Sequence, residues 1–192
     1  MIGLIFGDTD FPKEILKTVK KKKIRYLIVD LSKTKKFKKD KQSYAVSIGQ
    51  FGKIINILKE NNCKKVLFAG KIARPNFTSL RLDFKGIYYM PSVIRASKIG
   101  DAAIIKSIIN ILANEGIKVI SSIYFNPELS LKKGNYTKTK LNKNDNNSIK
   151  KAQNYFNKIN SLDHIQALVI KDEKIIVIVE SDCCWNRRPE EY

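Results

Sequence analysis

Through Ile120, short apolar runs alternate with amphipathic stretches, and this alternation restricts the fold more than any other feature of the chain. Ile2–Phe6 are apolar and stop at Gly7. Phe11-Pro12 opens a helix to about Lys22, with Ile15, Leu16 and Val19 on one face. Arg25–Asp30 reads as a second strand. Gly52–Asn61 follows as a helix whose apolar side is Ile54, Ile55, Ile57 and Leu58. Lys65–Ala69 is a third strand. Gly100-Asp101 opens a helix over Ala102–Asn114, Glu115-Gly116 ends it, and Ile117–Ile120 is a fourth strand. Strand–helix–strand repetition predicts a parallel sheet flanked by helices, an α/β fold of Rossmann-like type.

The later part of the chain reads differently. Residues 132–147 are rich in Lys, Asn, Thr and Gly and are expected to be a linker. Beyond it, Ile149–Ile159 is a helix. Ala167–Ile170 and Lys174–Val179 are strands joined across Asp172-Glu173 as a hairpin. The expected organisation is a Rossmann-like domain over 1–131, a linker over 132–147, and a partial, smaller α+β domain over 148–192. Residues 181–192 carry neither a helix nor a strand period.

With 192 residues the chain can bury a core without disulfides. Its three cysteines, Cys63, Cys183 and Cys184, form no disulfide framework, which points to a reducing cytoplasm. No secretory leader is visible, and no apolar run reaches the roughly 18 residues of a membrane span. The expectation is a soluble protein, at most peripheral to a membrane. The net charge is +19, from 37 Lys+Arg against 18 Asp+Glu. Such an excess favours polyanions, and the anionic inner-membrane surface is the partner it fits best. The dominance of Lys over Arg, beside abundant Ile and Asn, is equally what an AT-rich genome produces. Basic and aromatic residues do not interleave on strands, so nucleic acid is not an expected partner. The lysine-rich run Ser32–Lys41 reads as a solvated loop.

Candidate chemistry gathers at strand ends and helix starts. Gly7-Asp8-Thr9-Asp10 ends the first strand, where open α/β sheets bind ligands. Asp8 or Asp10 is placed either to hold a metal ion or a ribose hydroxyl, or to shape a tight turn. A GxGxxG fingerprint is absent, which argues against NAD and FAD. Gly49-Gln50-Phe51-Gly52-Lys53 opens a helix on glycines and a lysine, and Gly70-Lys71-Ile72-Ala73-Arg74-Pro75 follows a strand. Glycines admit a ligand to the backbone, and free N–H groups with Lys and Arg attract phosphate. The alternative for the second block is a basic loop returning to the surface. Asp83, Lys85 and Asp101 form a further group, with Asp101 equally suited to cap its helix. His164 is the single histidine. No Ser or Cys elbow accompanies it, so a catalytic triad is not supported.

Taken in order, these blocks resemble a known family. Ile2-Gly3-Leu4-Ile5-Phe6-Gly7, Gly49–Lys53, Ala69–Pro75, Leu80-Arg81-Leu82-Asp83-Phe84-Lys85-Gly86, Gly100-Asp101-Ala102-Ala103, Pro127-Glu128-Leu129, Asp163…Gln166-Ala167 and the strand ending at Glu180 look like the bacterial UDP-2,3-diacylglucosamine pyrophosphatases of lipid A synthesis. These are cytoplasmic, metal-dependent enzymes of two dissimilar domains. The resemblance implies a UDP-linked diacyl sugar lipid as substrate and Mg²⁺ or Mn²⁺ as cofactor. It implies Gly7, Asp8, Gly49, Gln50, Lys53, Gly70, Lys71, Arg74, Asp83, Lys85, Gly100 and Gln166 as substrate-binding. Asp101 and Glu180 become the catalytic candidates and Asp182 the candidate metal ligand. The family carries consecutive glycines after Gly7, where this chain has Asp8 and Thr9. It carries a second acidic residue where this chain has Ala102. In the family the strand ending at Glu180 leads into a Gly-Thr-Asp segment and much of a second domain. The expectation is that this chain stops inside that domain, as a frameshift or gene-fragment end rather than a natural short form.

Overall fold

A computed structural model describes residues 1–72, 80–132, 134–158 and 165–180. They fall into two compact units, Met1–Ile94 with Ile108–Leu131, and Arg95–Ser107 with residues from Lys132 on. The first unit is built on a five-stranded, wholly parallel sheet: β1 (Ile2–Phe6), β2 (Tyr26–Asp30), β3 (Ser43–Ala45), β4 (Lys65–Ala69) and β5 (Lys118–Ile120). The order across the sheet is β3-β2-β1-β4-β5. Helices α1 (Phe11–Lys21) and α2 (Phe51–Glu60) connect its strands. Helices α3 (Phe84–Ser97) and α4 (Asp101–Asn114) lie between β4 and β5. The α/β fold read from the alternation is therefore the fold observed.

Strands covered on both faces must be apolar on both, and β1 is buried along its whole length. One face meets α1: Leu4, Phe6, Ile28 and Leu67 pack with Ile15 and Val19. The other meets α2: Ile5, Leu27, Val29 and Val66 pack with Ile54, Ile55 and Leu58, and with Leu112 of α4. Each such side chain contributes about 1.5–3 kcal/mol by leaving water.

The lysine-rich run after β2 differs from the solvated loop expected. Its lysines are largely exposed, but Phe37 is buried and its ring lies 4.9 Å from that of Phe6. Asp30, fully buried, holds the turn together. Its carboxylate accepts the Ser32 N–H at 2.9 Å, the Ser32 hydroxyl at 2.6 Å and the Phe37 N–H at 3.1 Å. Asp40 closes the run by accepting the Tyr26 hydroxyl and pairing with Lys20 at 2.6 Å.

In the second unit, α5 spans Lys143–Lys158 and so starts inside the stretch expected as linker. Asn142 and Asp145 explain the early start. Each side chain accepts the other's backbone N–H, at 2.8 and 2.9 Å, a reciprocal cap of the helix N-terminus. Strands β6 (Ile165–Lys171) and β7 (Lys174–Glu180) form the expected antiparallel hairpin.

Candidate functional site

The sheet order reverses between β1 and β4, and both neighbours leave the sheet at that point. The crevice beyond such a switch point is where open α/β sheets hold ligands. Gly7-Asp8 from β1 and Gly70-Lys71 from β4 meet there. The Gly7 N–H bonds the Ala69 carbonyl at 2.9 Å. Asp8 and Lys71 then exchange N–H···O bonds of 2.8 and 2.9 Å as an antiparallel bridge. The two glycines are needed for this approach. A Cβ on Gly7 would lie 2.5 Å from the Lys71 carbonyl oxygen. Gly70 has φ +89° and would press a Cβ to 2.8 Å from Pro12. Thr9 also sits in the left-handed region, at φ +88°, an uncommon and strained place for a β-branched residue. Lys71 is exposed at the crevice, and the Asp8 carboxylate stands 3.5 Å from the Lys33 N–H. Arg74 lies outside the described residues.

A second group forms at the N-terminus of α2, on the same carboxyl edge by topology. Asp83 accepts the N–H of Gly52 at 3.0 Å and of Lys53 at 2.9 Å, and also that of Gly86 at 2.8 Å in the first turn of α3. One carboxylate thus serves the open N–H groups of two helices. Burial opposes its charge, but the N–H groups of Gly52, Gly86 and Lys53 outweigh it and hold the carboxyl below its ordinary value. Glycines again allow the approach. A Cβ on Gly49 would meet the Arg81 carbonyl oxygen at 2.6 Å, and one on Gly86 the Gly49 oxygen at 2.6 Å. The N–H groups of α2 that the sequence suggests for phosphate are therefore bonded to a carboxylate of this chain. Gln50 turns back on its own loop, accepting the Ser47 N–H at 3.3 Å, and the Lys53 side chain is exposed.

Lys85 is engaged as well. Its ammonium pairs with Glu115 at 2.6 Å, and Glu115 also receives Lys59 at 2.5 Å and the Tyr89 hydroxyl at 2.9 Å. Sequence reading treated Glu115 only as part of a helix end. Its role depends on three partners from α2 and α3, which no local pattern displays. Lys59 and then Lys85 pull the Glu115 carboxyl down, against burial, from 4.5 to about 2. A depressed carboxylate stabilises the fold above its unfolded value and loses that contribution as pH falls through its folded value. Glu115→Gln is expected to cost about 1–2 kcal/mol at neutral pH, below the full shift because both lysines are part-exposed. Urea midpoints of parent and variant should converge as the pH drops from 4.5 toward about 2. A gap that persists unchanged in acid would remove the charge from the explanation.

The match to known proteins follows the same blocks. The family model described as the LpxI N-terminal domain matches residues 1–129. The chain belongs to the LpxI family. One relative, "UDP-2,3-diacylglucosamine pyrophosphatase LpxI" of Caulobacter vibrioides, is 30% identical over 133 residues, 69% of this chain and 48% of that protein. The chain thus matches about half the length of that LpxI relative. A solved dTDP-glucose 4,6-dehydratase from Bacillus anthracis, in complex with NAD, is 13% identical with a TM-score of 0.36. That likeness covers 83% of this chain and 52% of the dehydratase, and it is too remote to carry any argument.

The LpxI N-terminal match spans the switch point, the Asp83 group, Gly100 and Asp101. Gly100 and Asp101, at the start of α4, belong to the second compact unit. Gln166 and Glu180 are in that unit too. Ile165 pairs with Glu180 and Ala167 with Val179, so Gln166 is the extra residue of a bulge beside Glu180 at the hairpin's open end. Asp182 and His164 lie outside the described residues. Among the described residues no three His, Cys, Asp or Glu side chains gather as a metal-binding set. The described residues alone therefore do not fit a protein-held Mg²⁺ or Mn²⁺.

Proposed function

We propose that this chain acts in hydrolysis of the diphosphate bridge of UDP-2,3-diacylglucosamine, yielding UMP and 2,3-diacylglucosamine 1-phosphate in lipid A biosynthesis. What carries the reading is the LpxI N-terminal match, which runs through both strand ends at the switch point. In this reading the diphosphate lies over the Asp8–Lys71 bridge. Lys71 offsets its charge from one side, and Arg74 adds a planar fork for two phosphate oxygens. Water attacks one phosphorus, the bond from that phosphorus to the bridging oxygen breaks, and the water's proton must leave. Asp101 and Glu180 are the candidates to accept it. Gly49, Gln50 and Lys53 border the same edge, and Gln166 stands beside Glu180 on the hairpin.

The test is UMP release from UDP-2,3-diacylglucosamine by the purified chain, with Mg²⁺, with Mn²⁺ and with chelator. Turnover is expected. Lys71→Ala is expected to lose about 1.5–3 kcal/mol of transition-state stabilisation, roughly ten- to a hundredfold in kcat/KM, with partial recovery in Lys71→Arg. Calorimetry with UMP and with NAD gives an independent reading, and UMP should bind more tightly. A second reading, a nucleotide-sugar-lipid binding module, draws on the match ending at residue 129. Binding without UMP release would select it. Preference for NAD, or no nucleotide binding, would sink both.

A further inference from the structure

Helix α3 presents an apolar face to solvent in its first two turns. Phe84 is 93% exposed, Ile87 59% and Tyr88 77%. Their spacing, i, i+3 and i+4, places them on one side of the helix. The other side is anchored. Gly86 is buried against the Gly49 loop, Tyr89 packs on the core and bonds Glu115, and Lys85 pairs with Glu115. The helix start is tied to α2 through Asp83. The orientation of α3 is therefore set by its inward contacts, and those contacts leave two aromatic rings and an isoleucine outward. Soluble surfaces rarely gather large apolar side chains in this way without a partner.

We propose that this face of α3 docks onto an anionic lipid bilayer, lying in its interface and not spanning it. Aromatic and branched aliphatic side chains on one helix face beside basic residues are the make-up of interfacial membrane contacts. The basic rim is present. Arg81 is exposed three positions before Phe84, and Lys53, whose N–H reaches Asp83, is exposed next to the helix start. The neighbouring acids do not cancel that charge: Asp83 is covered by three N–H groups and Glu115 by two lysines. A second copy of the chain fits less well, because two bodies of net charge +19 repel, whereas anionic headgroups attract both. Among the described residues no helix is long and apolar enough to cross a membrane. The surface is argued independently of the hydrolase reading.

The experiment is co-sedimentation of the 192-residue chain with extruded vesicles of phosphatidylcholine alone or with added phosphatidylglycerol, at low and high salt. Binding is expected on the phosphatidylglycerol vesicles and should weaken with salt. The double variant Phe84→Ser with Tyr88→Ser is expected to bind at least about tenfold less, with an unchanged melting curve because both side chains face water. As a second readout, Phe84→Trp in a Trp185→Phe background should shift its emission to the blue when phosphatidylglycerol vesicles are added. The proposal is overturned if the parent ignores those vesicles or if the double variant binds them as the parent does. An indole emission that stays water-like, or a sedimentation coefficient in free solution that falls with the double variant, overturns it too; the latter would assign the face to self-association. UMP release from detergent-dispersed substrate reads the hydrolase separately. It should be unchanged in the double variant, so vesicle binding without UMP release would fail the enzyme reading alone.

Discussion

Asp83→Ala is expected to destabilise the first unit by about 3 kcal/mol, read as a lowered urea midpoint. The side chain accepts three backbone N–H bonds between 2.8 and 3.0 Å, from Gly52, Lys53 and Gly86. Losing an N-cap costs about 1 kcal/mol, and a charge-assisted bond is worth about 1.5–3 kcal/mol when its donor is left unmatched. Two helix starts lose their cap in a single substitution, and water recovers part of the loss because the site is only part-buried. Asp83→Asn should fall between parent and alanine, since one amide oxygen can still serve Gly52 and Gly86. Acid supplies a further arm. The Asp83 carboxyl is held below its ordinary value, so its contribution is present above that value and is lost as pH falls through the lowered one. Parent and Asp83→Ala should therefore converge in strong acid. A midpoint change worth less than about 1 kcal/mol at neutral pH would contradict the double cap. Lost nucleotide affinity with stability intact would return Asp83 to the substrate.

Asp30→Ala is expected to cost a similar amount, about 3 kcal/mol, by a different route. Asp30 is fully buried at the end of β2, and its removal leaves the Ser32 and Phe37 N–H groups and the Ser32 hydroxyl without their acceptor. Phe37 then loses the turn that holds it on Phe6. Loosening should expose the lysines around it, so trypsin should cut within Ser32–Lys41 faster than in the parent, before the rest of the first unit is degraded. Equal cutting rates in parent and variant would show that Phe37 holds the run unaided.

The helix α3 illustrates why part of this fold could not be read ahead of the structure. Phe84–Ser97 carries a glycine near its start and Pro91 inside. Its outward residues, Phe84, Ile87 and Tyr88, are as apolar as its inward ones, so no polar stripe marks a solvent face. β3 is three residues long and largely exposed, too short to show alternation. The α5 start, by contrast, was available in the sequence as Asn142…Asp145, a cap pair outweighed by the polar composition around it.

The sequence by itself determined the alternation of strands and helices, the parallel sheet, the positions of the glycines at strand ends and the family. Each follows from local periodicity, or from an order of motifs that survives without coordinates. Only the tertiary structure decided what those glycines and charges meet. Gly7 and Gly70 admit each other's strand at the switch point, Asp83 fills the start of α2, and Lys85 is drawn to Glu115. A glycine that admits a ligand and one that admits a neighbouring backbone are the same letter. The partners of a buried or paired charge lie tens of residues away, where no window of sequence pattern reaches.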